Sequence, residues 1–335
     1  MKARLPQIFC CLLLLVVNEG LGQEAQRSQE LTLRTDNDVY TFRDSDKYYS
    51  NGLILAYRWV PTKKGFLTPT KRSDSAKLIL ELGIAHKFFT PKFLENEDVD
   101  DFDRPYTGAL SASYLINYFP SEHVKWKYGL NTTLVGPATG AGDFQIWYHE
   151  LFGFPEPRGW DFQVPNELTI NLSGEFQRQV PLTTTSLDLI STSSLMLGTG
   201  FTNAKQQFDL RIGRFASLNE SAYARSVIGK SSQTAGKEFF LFVGAGLEYV
   251  VQNITIQGSI WNDKAPHTEV ITPWVMHFRT GLVTGNAKST FRLVYHWLSS
   301  EVRQVGWHSY IGIELNLRFA SAKEKRKASN RQTNK

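Results

Sequence analysis

Three clusters of polar residues combine side chains that can activate water or hold a metal ion. The first covers residues 35–38, Thr-Asp-Asn-Asp, and residues 48–52, Tyr-Tyr-Ser-Asn-Gly. Asp36 and Asp38 could bind a hard cation such as calcium, with the Asn37 side-chain carbonyl, backbone oxygens and water completing the ligand shell. A solvated acidic loop between strands would have a similar composition. This stretch alone therefore leaves a metal site and a plain loop as alternatives.

The second cluster lies at residues 100–108, Asp-Asp-Phe-Asp-Arg-Pro-Tyr-Thr-Gly. Arg104 follows Asp103, which predicts a local ion pair that fixes the start of a strand. Pro105 agrees with this position, because proline can open a strand but cannot lie inside one. Alternatively, the guanidinium of Arg104 could donate to a phosphate group. The sequence favours the ion pair and keeps Arg104 as a candidate phosphate ligand.

The third cluster lies in a connection of roughly 30 residues, and connections of that length usually have a function or are disordered. It contains Trp-Tyr-His-Glu at 147–150, Pro-Arg-Gly-Trp-Asp at 157–161 and Asn-Glu at 166–167. Among the seven histidines, His149 is the best candidate for a general base. Its two aromatic neighbours equally suit a belt at a membrane interface, with His149 merely exposed. The sequence holds no recognisable nucleophile elbow, HExxH, P-loop or cysteine metal motif.

Residues 1–22 are predicted to be a secretory signal peptide. Lys2 and Arg4 precede an unbroken apolar run at 8–17, and small residues precede Gln23, where cleavage is expected. The run is too short for a membrane-spanning helix, which needs about 20 apolar residues. Both cysteines of the chain lie within the run. The mature chain would therefore have none, which excludes disulfides and thiolate chemistry.

The net charge of +5 is concentrated near the end of the chain. Residues 320–335 carry six basic side chains and one acidic side chain, and residues 1–22 carry two and one. The body at 23–319 therefore has a net charge of −1, whereas a body that binds nucleic acid would be clearly basic. We expect no nucleic-acid partner, and we expect a basic, disordered periplasmic tail at 320–335.

Strict alternation of apolar and polar residues is the main sign of the fold. Residues 309–319 place five large apolar side chains on one face and a charged pair, Glu314 and Arg318, on the other. Eleven further runs are also strand-like, and twelve is an even number, as closed bacterial barrels have. With 13% aromatic residues and a mean hydropathy of −0.28, we predict an all-β fold, a closed antiparallel transmembrane β-barrel of twelve strands over residues 23–319. A soluble all-β periplasmic domain is the alternative.

Strand parity predicts that both termini are periplasmic and that every polar cluster lies in a connection on the opposite side. Residues 254–260 are predicted to be a strand-like extension inside one of these connections, because an odd number of strands would separate the termini. The three clusters would then meet at one rim of the barrel. The outward connections are predicted at 36–51, 90–105, 136–166, 199–206, 252–271 and 300–308.

Several segments, in the order of the chain, carry a family resemblance. The most specific are TDNDVY with DKYYSNGLILAY, HELFGFPEPRGWDFQVPNE and ITIQGSIW. Together with shorter matches they cover most of residues 31–319 and resemble the LpxR-like lipid A deacylase family of Gram-negative outer membranes. The resemblance implies a twelve-stranded barrel and a calcium-dependent hydrolase that removes the 3′-linked acyloxyacyl group from lipid A in the outer leaflet. In that mechanism a histidine takes a proton from water and calcium stabilises the oxyanion.

The resemblance also assigns roles by position. His149 matches the general base, and Asn37 and Asp38 match the Asn-Asp pair near the calcium ion. Ser50 matches a hydroxyl residue of the family, whereas the resemblance assigns no role to Asp36. The residue six positions after the base is a Glu in the family and Pro155 here. Two nearby acids, at positions 150 and 156, could take its place.

A second departure concerns the phosphates of lipid A. A Lys-Arg pair of the family is replaced here by acidic residues at 95–98. Lys87, Lys92 and Arg104 then remain as candidate phosphate ligands. Both departures motivate an alternative function, in which the protein is a non-catalytic outer-membrane barrel, either structural or a narrow pore.

Overall fold

The structure is a computed structural model, and it describes residues 27–41, 47–62, 76–182, 186–229, 236–303 and 305–321. The expected signal peptide and most of the expected basic tail lie outside these residues. Among the described residues, no helix is long and apolar enough to cross a membrane.

Twelve antiparallel strands close into one barrel, in which β1 pairs with both β2 and β12. Each of the other strands pairs with its neighbours in the chain. The predicted closed antiparallel barrel of twelve strands is thereby confirmed. The strands are β1 (Gln29–Asn37), β2 (Tyr48–Trp59), β3 (Lys77–Thr90), β4 (Thr107–Ser121), β5 (Val124–Val135), β6 (Glu167–Pro181), β7 (Leu187–Gly198), β8 (Phe201–Arg214), β9 (Glu238–Asn253), β10 (Trp274–Gly285), β11 (Ser289–Leu298) and β12 (His308–Phe319).

The outer face of the wall is apolar and the lumen is polar. On β6, Leu168, Ile170 and Leu172 are exposed, whereas Thr169 and Asn171 between them are buried in the lumen. An exposed apolar band of this kind would be unfavourable in water, and it is the pattern of barrels that face lipid. The alternation seen in the sequence is therefore the alternation between the two faces of the wall.

One end of the lumen is filled by the plug, which we define as residues 216–229 of the β8–β9 connection. Leu218, Ile228 and their neighbours pack against Ile79 and Phe240 of the wall. Arg225 pairs with Glu314 of β12 at 2.6 Å. The same cluster includes buried residues of β3, β4, β7, β9, β10 and β11. We call this end of the barrel the plug end.

The opposite end, the loop end, carries the connections predicted to face outward. Two of them differ from the prediction. β8 begins at Phe201, so only two residues connect it to β7 where 199–206 was expected to be a loop. The expected strand-like extension at 254–260 is wrong, because Ile254–Gln257 forms a helical turn, and the side chain of Asn253 caps it by accepting from the N–H of Thr255.

The long β5–β6 connection, expected as a loop, contains a helix of 12 residues, α1 (Ala141–Phe152). The turn at Ile254–Gln257 is α2. Glycines with positive φ flank α1, Gly140 at φ 67° and Gly153 at φ 72°. Residues in this left-handed region end helices, so Gly140 ends the 3₁₀ turn that precedes α1 and Gly153 ends α1 itself. Short 3₁₀ turns complete the loop end at Val39–Thr41, Val99–Asp101, Pro137–Thr139 and Trp160–Phe162.

Candidate active site

Helix α1 lies against the outer face of the wall, near the loop end. Phe88 of β3 points outward and is buried under the rings of Phe144 and Trp160, at centroid distances of 5.5 and 6.5 Å. On β4, a Cβ added to Gly108 would lie 2.5 Å from the Cβ of Ala141. The absence of a side chain at Gly108 therefore allows the first turn of α1 to approach the wall.

The far side of α1 is apolar and uncovered. Ile146, Trp147 and Leu151 are 37%, 54% and 60% exposed. They continue the apolar band of the wall, so α1 has an apolar side toward the barrel and another away from it. A space between α1 and the strands is therefore flanked by apolar surface on the outside of the barrel.

The end of β1 separates two adjacent polar residues, Asp36 and Asn37, onto opposite faces of the wall. Asp36 faces the lumen, where its carboxylate accepts hydrogen bonds from Arg34 Nε at 2.7 Å and from the Tyr49 hydroxyl at 2.9 Å. Asn37, the next residue, faces outward, and its Oδ1 accepts from the backbone N–H of Val39 at 2.8 Å. This side-chain bond starts the turn after β1. The side chain of Asp36 is thus held by hydrogen bonds in the lumen and does not lie beside that of Asn37.

Asp38 and Ser50 lie on the two sides of the β1–β2 turn. Asp38 is buried and its Oδ2 accepts from the backbone N–H of Lys47 at 2.7 Å. The pairing of β2 with β3 shifts its register between Tyr49 and Asn51, so Ser50 is the extra residue of a bulge. Its hydroxyl donates to the carbonyl oxygen of Phe88 at 3.4 Å. Bulges re-aim side chains next to active sites, and this one brings Ser50 to the outer face.

His149, Asn37 and Ser50 line one small cavity between α1 and the wall. His149 is only 3% exposed, and its Nδ1 lies 2.5 Å from the backbone carbonyl oxygen of Pro155. The cavity has a volume of about 10 Å³, which is close to the space that one water molecule needs. Most of its remaining lining is aromatic, from Phe88, Phe144, Tyr148 and Phe154. The cavity can therefore hold a small polar molecule beside an imidazole in apolar surroundings.

The two acids considered as partners of His149 are on the surface. Glu150 is exposed, and the side chain of Glu156 is 64% exposed. Glu156 Oε2 lies 3.5 Å from Arg158 Nε, and Arg158 also pairs with Glu97 at 2.9 Å. This surface network ties the end of the β5–β6 connection to the β3–β4 connection.

Arg104 is only 1% exposed and lies inside the loop end. Its guanidinium donates to Glu301 at 3.2 Å and to Thr255 Oγ1 of α2 at 2.8 Å. The expected ion pair with Asp103 is therefore wrong, because Arg104 pairs with Glu301. The carboxylate of Asp103 instead accepts from the hydroxyl of Tyr48 and the N–H of Lys92. Burial lowers the pKa of Arg104, opposed by Glu301. Burial alone would raise the pKa of Glu301, but the guanidinium of Arg104 helps to hold it below its ordinary value.

Lys87 lies on the lumen side of β3, where it lines the inner cavity and sits over the ring of Tyr49 at 5.8 Å. The structure therefore brings His149, Asn37 and Ser50 together, with Asp38 next to them in the turn. It places Lys87 and Arg104 away from this cavity.

The side chains that could hold calcium are Asn37 and Asp38. Amide and carboxylate oxygens are hard donors of the kind that calcium prefers. Among the described residues, no group of three or more His, Cys, Asp or Glu side chains is arranged to hold a metal ion. Asn37 and Asp38 offer two hard side-chain donors, so a calcium ion held by them would take its remaining ligands from backbone carbonyls and water.

Sequence reasoning identified His149 but missed the helix α1 that carries it and a second cavity residue of that helix, Gln145. Gln145 is buried, lines the cavity and accepts a hydrogen bond from Trp160 Nε1 at 2.8 Å. The available signal was the spacing of Gly140 and Gly153, which enclose twelve residues without proline.

A closed twelve-stranded barrel with an apolar outer face and a polar lumen defines an outer-membrane β-barrel protein. Comparisons with known proteins narrow this class. The chain matches the family model described as outer membrane protein LpxR over residues 8–319, and it belongs to that family. Among curated protein sequences, none matches this chain.

Solved structures share the architecture. LpxR from Salmonella typhimurium superimposes with a TM-score of 0.69 at 20% sequence identity, covering 87% of this chain and 100% of that one. At this identity the likeness shows the fold alone. The β domain of the Bordetella autotransporter BrkA gives a TM-score of 0.45 at 8% identity, over 88% and 99% of the two chains. That value is too low to carry an argument.

Proposed function

We propose that this protein is an outer-membrane ester hydrolase that removes an acyl or acyloxyacyl chain from lipid A in the outer leaflet. The observation that carries the proposal is the meeting of His149, Asn37 and Ser50 in one aromatic-lined cavity outside the wall. Asn37 and Ser50 come from the β1–β2 connection region and His149 from α1, about 100 residues later in the chain. Membership of the LpxR family supports the choice of lipid A.

The position of the cavity suits a substrate that is already in the membrane. With the strands spanning the bilayer and the loop end outward, the cavity lies on the lipid side of the wall. The exposed apolar side of α1, with Trp147 and Leu151, would lie among acyl chains. Lipid A could then bring an ester group to His149 by lateral diffusion, with its chains still in the hydrocarbon layer.

The chemistry that fits these residues is hydrolysis by an activated water. His149 accepts a proton from the water, and the water oxygen forms a bond to the acyl carbon. The bond from that carbon to the sugar oxygen then breaks, and the proton passes from His149 to the sugar oxygen. The products are a free fatty acid and a lipid A with one hydroxyl restored. The aromatic lining excludes bulk water, which strengthens the electrostatic interactions in the cavity.

Asn37 and Asp38 would hold the calcium ion beside this cavity. When bound, calcium supplies positive charge where negative charge develops on the ester oxygen. The hydroxyl of Ser50 lies on the same outer face and can contribute a further hydrogen bond to the ester or to the water.

Among the described residues, the plug opposes a narrow pore, which is the alternative function. The plug packs into the barrel through buried residues such as Leu218 and Ile228. It is also held by polar bonds, such as those of Arg292 to the carbonyl oxygens of Ala222 and Tyr223 at 2.8 and 2.7 Å.

The proposal is tested with the purified, folded protein in detergent micelles that contain lipid A, in buffer with added calcium. Released fatty acid is measured for the wild type, for His149→Gln and for the matched control His123→Gln. His123 lies at the plug end, where its Nδ1 contacts Gln179 Oε1 at 3.0 Å. We expect release by the wild type and the control, and a loss of about 10²–10⁴-fold in His149→Gln, as general-base catalysis contributes.

Folding is checked for each variant by resistance to SDS without boiling and by the gel shift on heating. A folded wild type that releases no fatty acid would refute the proposal. Equal release by His149→Gln would show that His149 is not the base.

A further inference from the structure

His149 and the hydrogen-bonding partner of its ring lie in the same connection, between β5 and β6. The Nδ1 of the imidazole lies 2.5 Å from the main-chain carbonyl oxygen of Pro155. A carbonyl oxygen can only accept, so Nδ1 must be the protonated nitrogen in the neutral ring. The lone pair is then on Nε2, the second ring nitrogen.

We propose that the main-chain carbonyl of Pro155 is the positioning group that holds His149 in the tautomer with a basic Nε2. Acidic side chains commonly have this task beside a catalytic histidine. Here the backbone oxygen of residue 155 takes it, and no side chain is required at that position. The catalytic consequence of this inference rests on the proposed hydrolysis, whereas the tautomer itself does not.

The turn after α1 explains how residue 155 returns to residue 149. Gly153 has φ 72° and ψ 34°, and its N–H donates to the carbonyl oxygen of His149. The N–H of Phe154 donates to the same oxygen at 2.9 Å. These bonds reverse the chain, as in other helix ends with a left-handed glycine. His149 is thus held at its backbone by the turn and at its ring by the residue that follows the turn.

Proline suits the position because it cannot continue the helix and has no N–H of its own. The carbonyl oxygen is the only polar group that Pro155 offers. The ring of Phe154 packs edge-to-face on the ring of His149, at a centroid distance of 5.6 Å, and against Tyr148 at 6.2 Å. These ring contacts keep the turn closed over the imidazole.

The surrounding acids do not suit this task as well. Glu150 is exposed, and Glu156 is exposed and paired with Arg158. A neutral carbonyl orients the imidazole without adding a charge to the apolar cavity. Carbonyl-directed orientation therefore allows a histidine base to work where a buried carboxylate would be costly.

The test compares substitutions at two glycines that have the same left-handed backbone conformation. Gly153 at φ 72° and Gly140 at φ 67° flank α1, and a Cβ added at either position would meet nothing within 4 Å. Gly153→Ala and Gly140→Ala therefore carry the same conformational penalty on the same helix. Only Gly153 lies between His149 and the carbonyl of Pro155. Pro155→Ala is a third variant, which keeps the carbonyl and changes only the side chain.

The readout is the ¹⁵N chemical shifts of the ring nitrogens in protein labelled at histidine, above the pH at which the ring is charged. The signals of His149 are assigned by their loss in His149→Gln. We expect a single tautomer with protonated Nδ1 in the wild type, in Gly140→Ala and in Pro155→Ala. In Gly153→Ala we expect a mixture of tautomers and a kcat that falls in proportion to the remaining fraction with protonated Nδ1, about twofold for an even mixture, with KM unchanged, since only correctly oriented imidazoles react.

Two outcomes separate this inference from the proposed function. If the wild type shows the protonated Nδ1 tautomer and Gly153→Ala mixes it, the positioning role stands even if no lipid A is hydrolysed. If the wild type shows a proton on Nε2, or if Gly153→Ala and Gly140→Ala behave alike, the inference is overturned even in an active enzyme.

Discussion

The contact between Gly108 and α1 offers the sharpest mechanical test of the site. Gly108→Ala adds one methyl group to the outer face of β4, where its carbon would lie 2.5 Å from the Cβ of Ala141. Non-bonded carbon atoms prefer a separation of about 3.5–4.0 Å. The Ala141 Cβ is fixed to the backbone, and the added carbon also meets Thr139 Oγ1, which is bonded to the carbonyl of Gly136. The first turn of α1 must therefore move away from the wall by about 1 Å.

This displacement reaches the reacting groups because α1 is one continuous helix. His149 lies eight residues after Ala141 in the helix, while Asn37 and Ser50 belong to the wall and stay in place. A misplacement of about 1 Å typically reduces catalysis by about 10²-fold. We therefore expect Gly108→Ala to lose about that factor in fatty-acid release from lipid A, with the barrel still closed.

The matched control is Gly174→Ala on β6, where an added Cβ meets nothing within 4 Å. It changes glycine to alanine in another strand of the same wall and should keep wild-type activity. Fatty-acid release measures the loss, and the heat-dependent gel shift verifies that both variants are folded. Wild-type activity in a folded Gly108→Ala variant would refute the reasoning, because the site would then not depend on how α1 docks.

Three further predictions follow from the contacts at the loop end. Asp36→Asn should keep hydrolysis, because the carboxylate of Asp36 pairs with Arg34 in the lumen. Loss of this pair should lower the free energy of unfolding by about 1.5–3 kcal/mol, as for a hydrogen bond to a charged group. Asp38→Asn should instead lose hydrolysis, and measurements of fatty-acid release and thermal melting distinguish the two variants. EGTA should abolish release by the wild type, and added calcium should restore it. The pKa of Glu301 is lowered in the folded protein, so its pair with Arg104 stabilises above the ordinary glutamate pKa of about 4.3 and is lost as the pH falls through the lowered value. The difference in Tm between the wild type and Glu301→Gln should therefore be full at neutral pH and shrink in acid, and a difference independent of pH would contradict this pairing.

The barrel could be predicted from the sequence because lipid and lumen impose opposite polarities on successive residues. The twelve strands of the structure match that alternation, and the polar clusters fall at one end as strand parity requires. The error at Ile254–Gln257 has a local cause. Its apolar alternation suits a strand, but Asn253 caps a helical turn whose isoleucines are buried.

Helix α1 could not be recognised in the same way, because it is apolar on two sides. Phe144 faces the wall, while Ile146, Trp147 and Leu151 face away from it. The usual signal of a surface helix, one apolar and one polar face, is therefore blurred. Only the flanking glycines marked its limits.

Ion pairs between residues far apart in the chain could not be predicted from neighbouring residues in the sequence. Arg104 was expected to pair with its neighbour Asp103, yet its partner Glu301 is 197 residues away in the chain. The closure of the barrel brings the two connections together at the loop end. For the same reason Asp36 and Asn37, adjacent in the sequence, are on opposite sides of the wall.

The most direct test of the central claim is the mass spectrum of lipid A from cells that produce the protein. The wild type is predicted to yield lipid A that is lighter by one acyl or acyloxyacyl group. Cells with folded His149→Gln should show the unmodified mass. An unchanged lipid A spectrum in cells with folded wild-type protein would contradict the account, because the cavity between α1 and the wall would then serve another substrate or none.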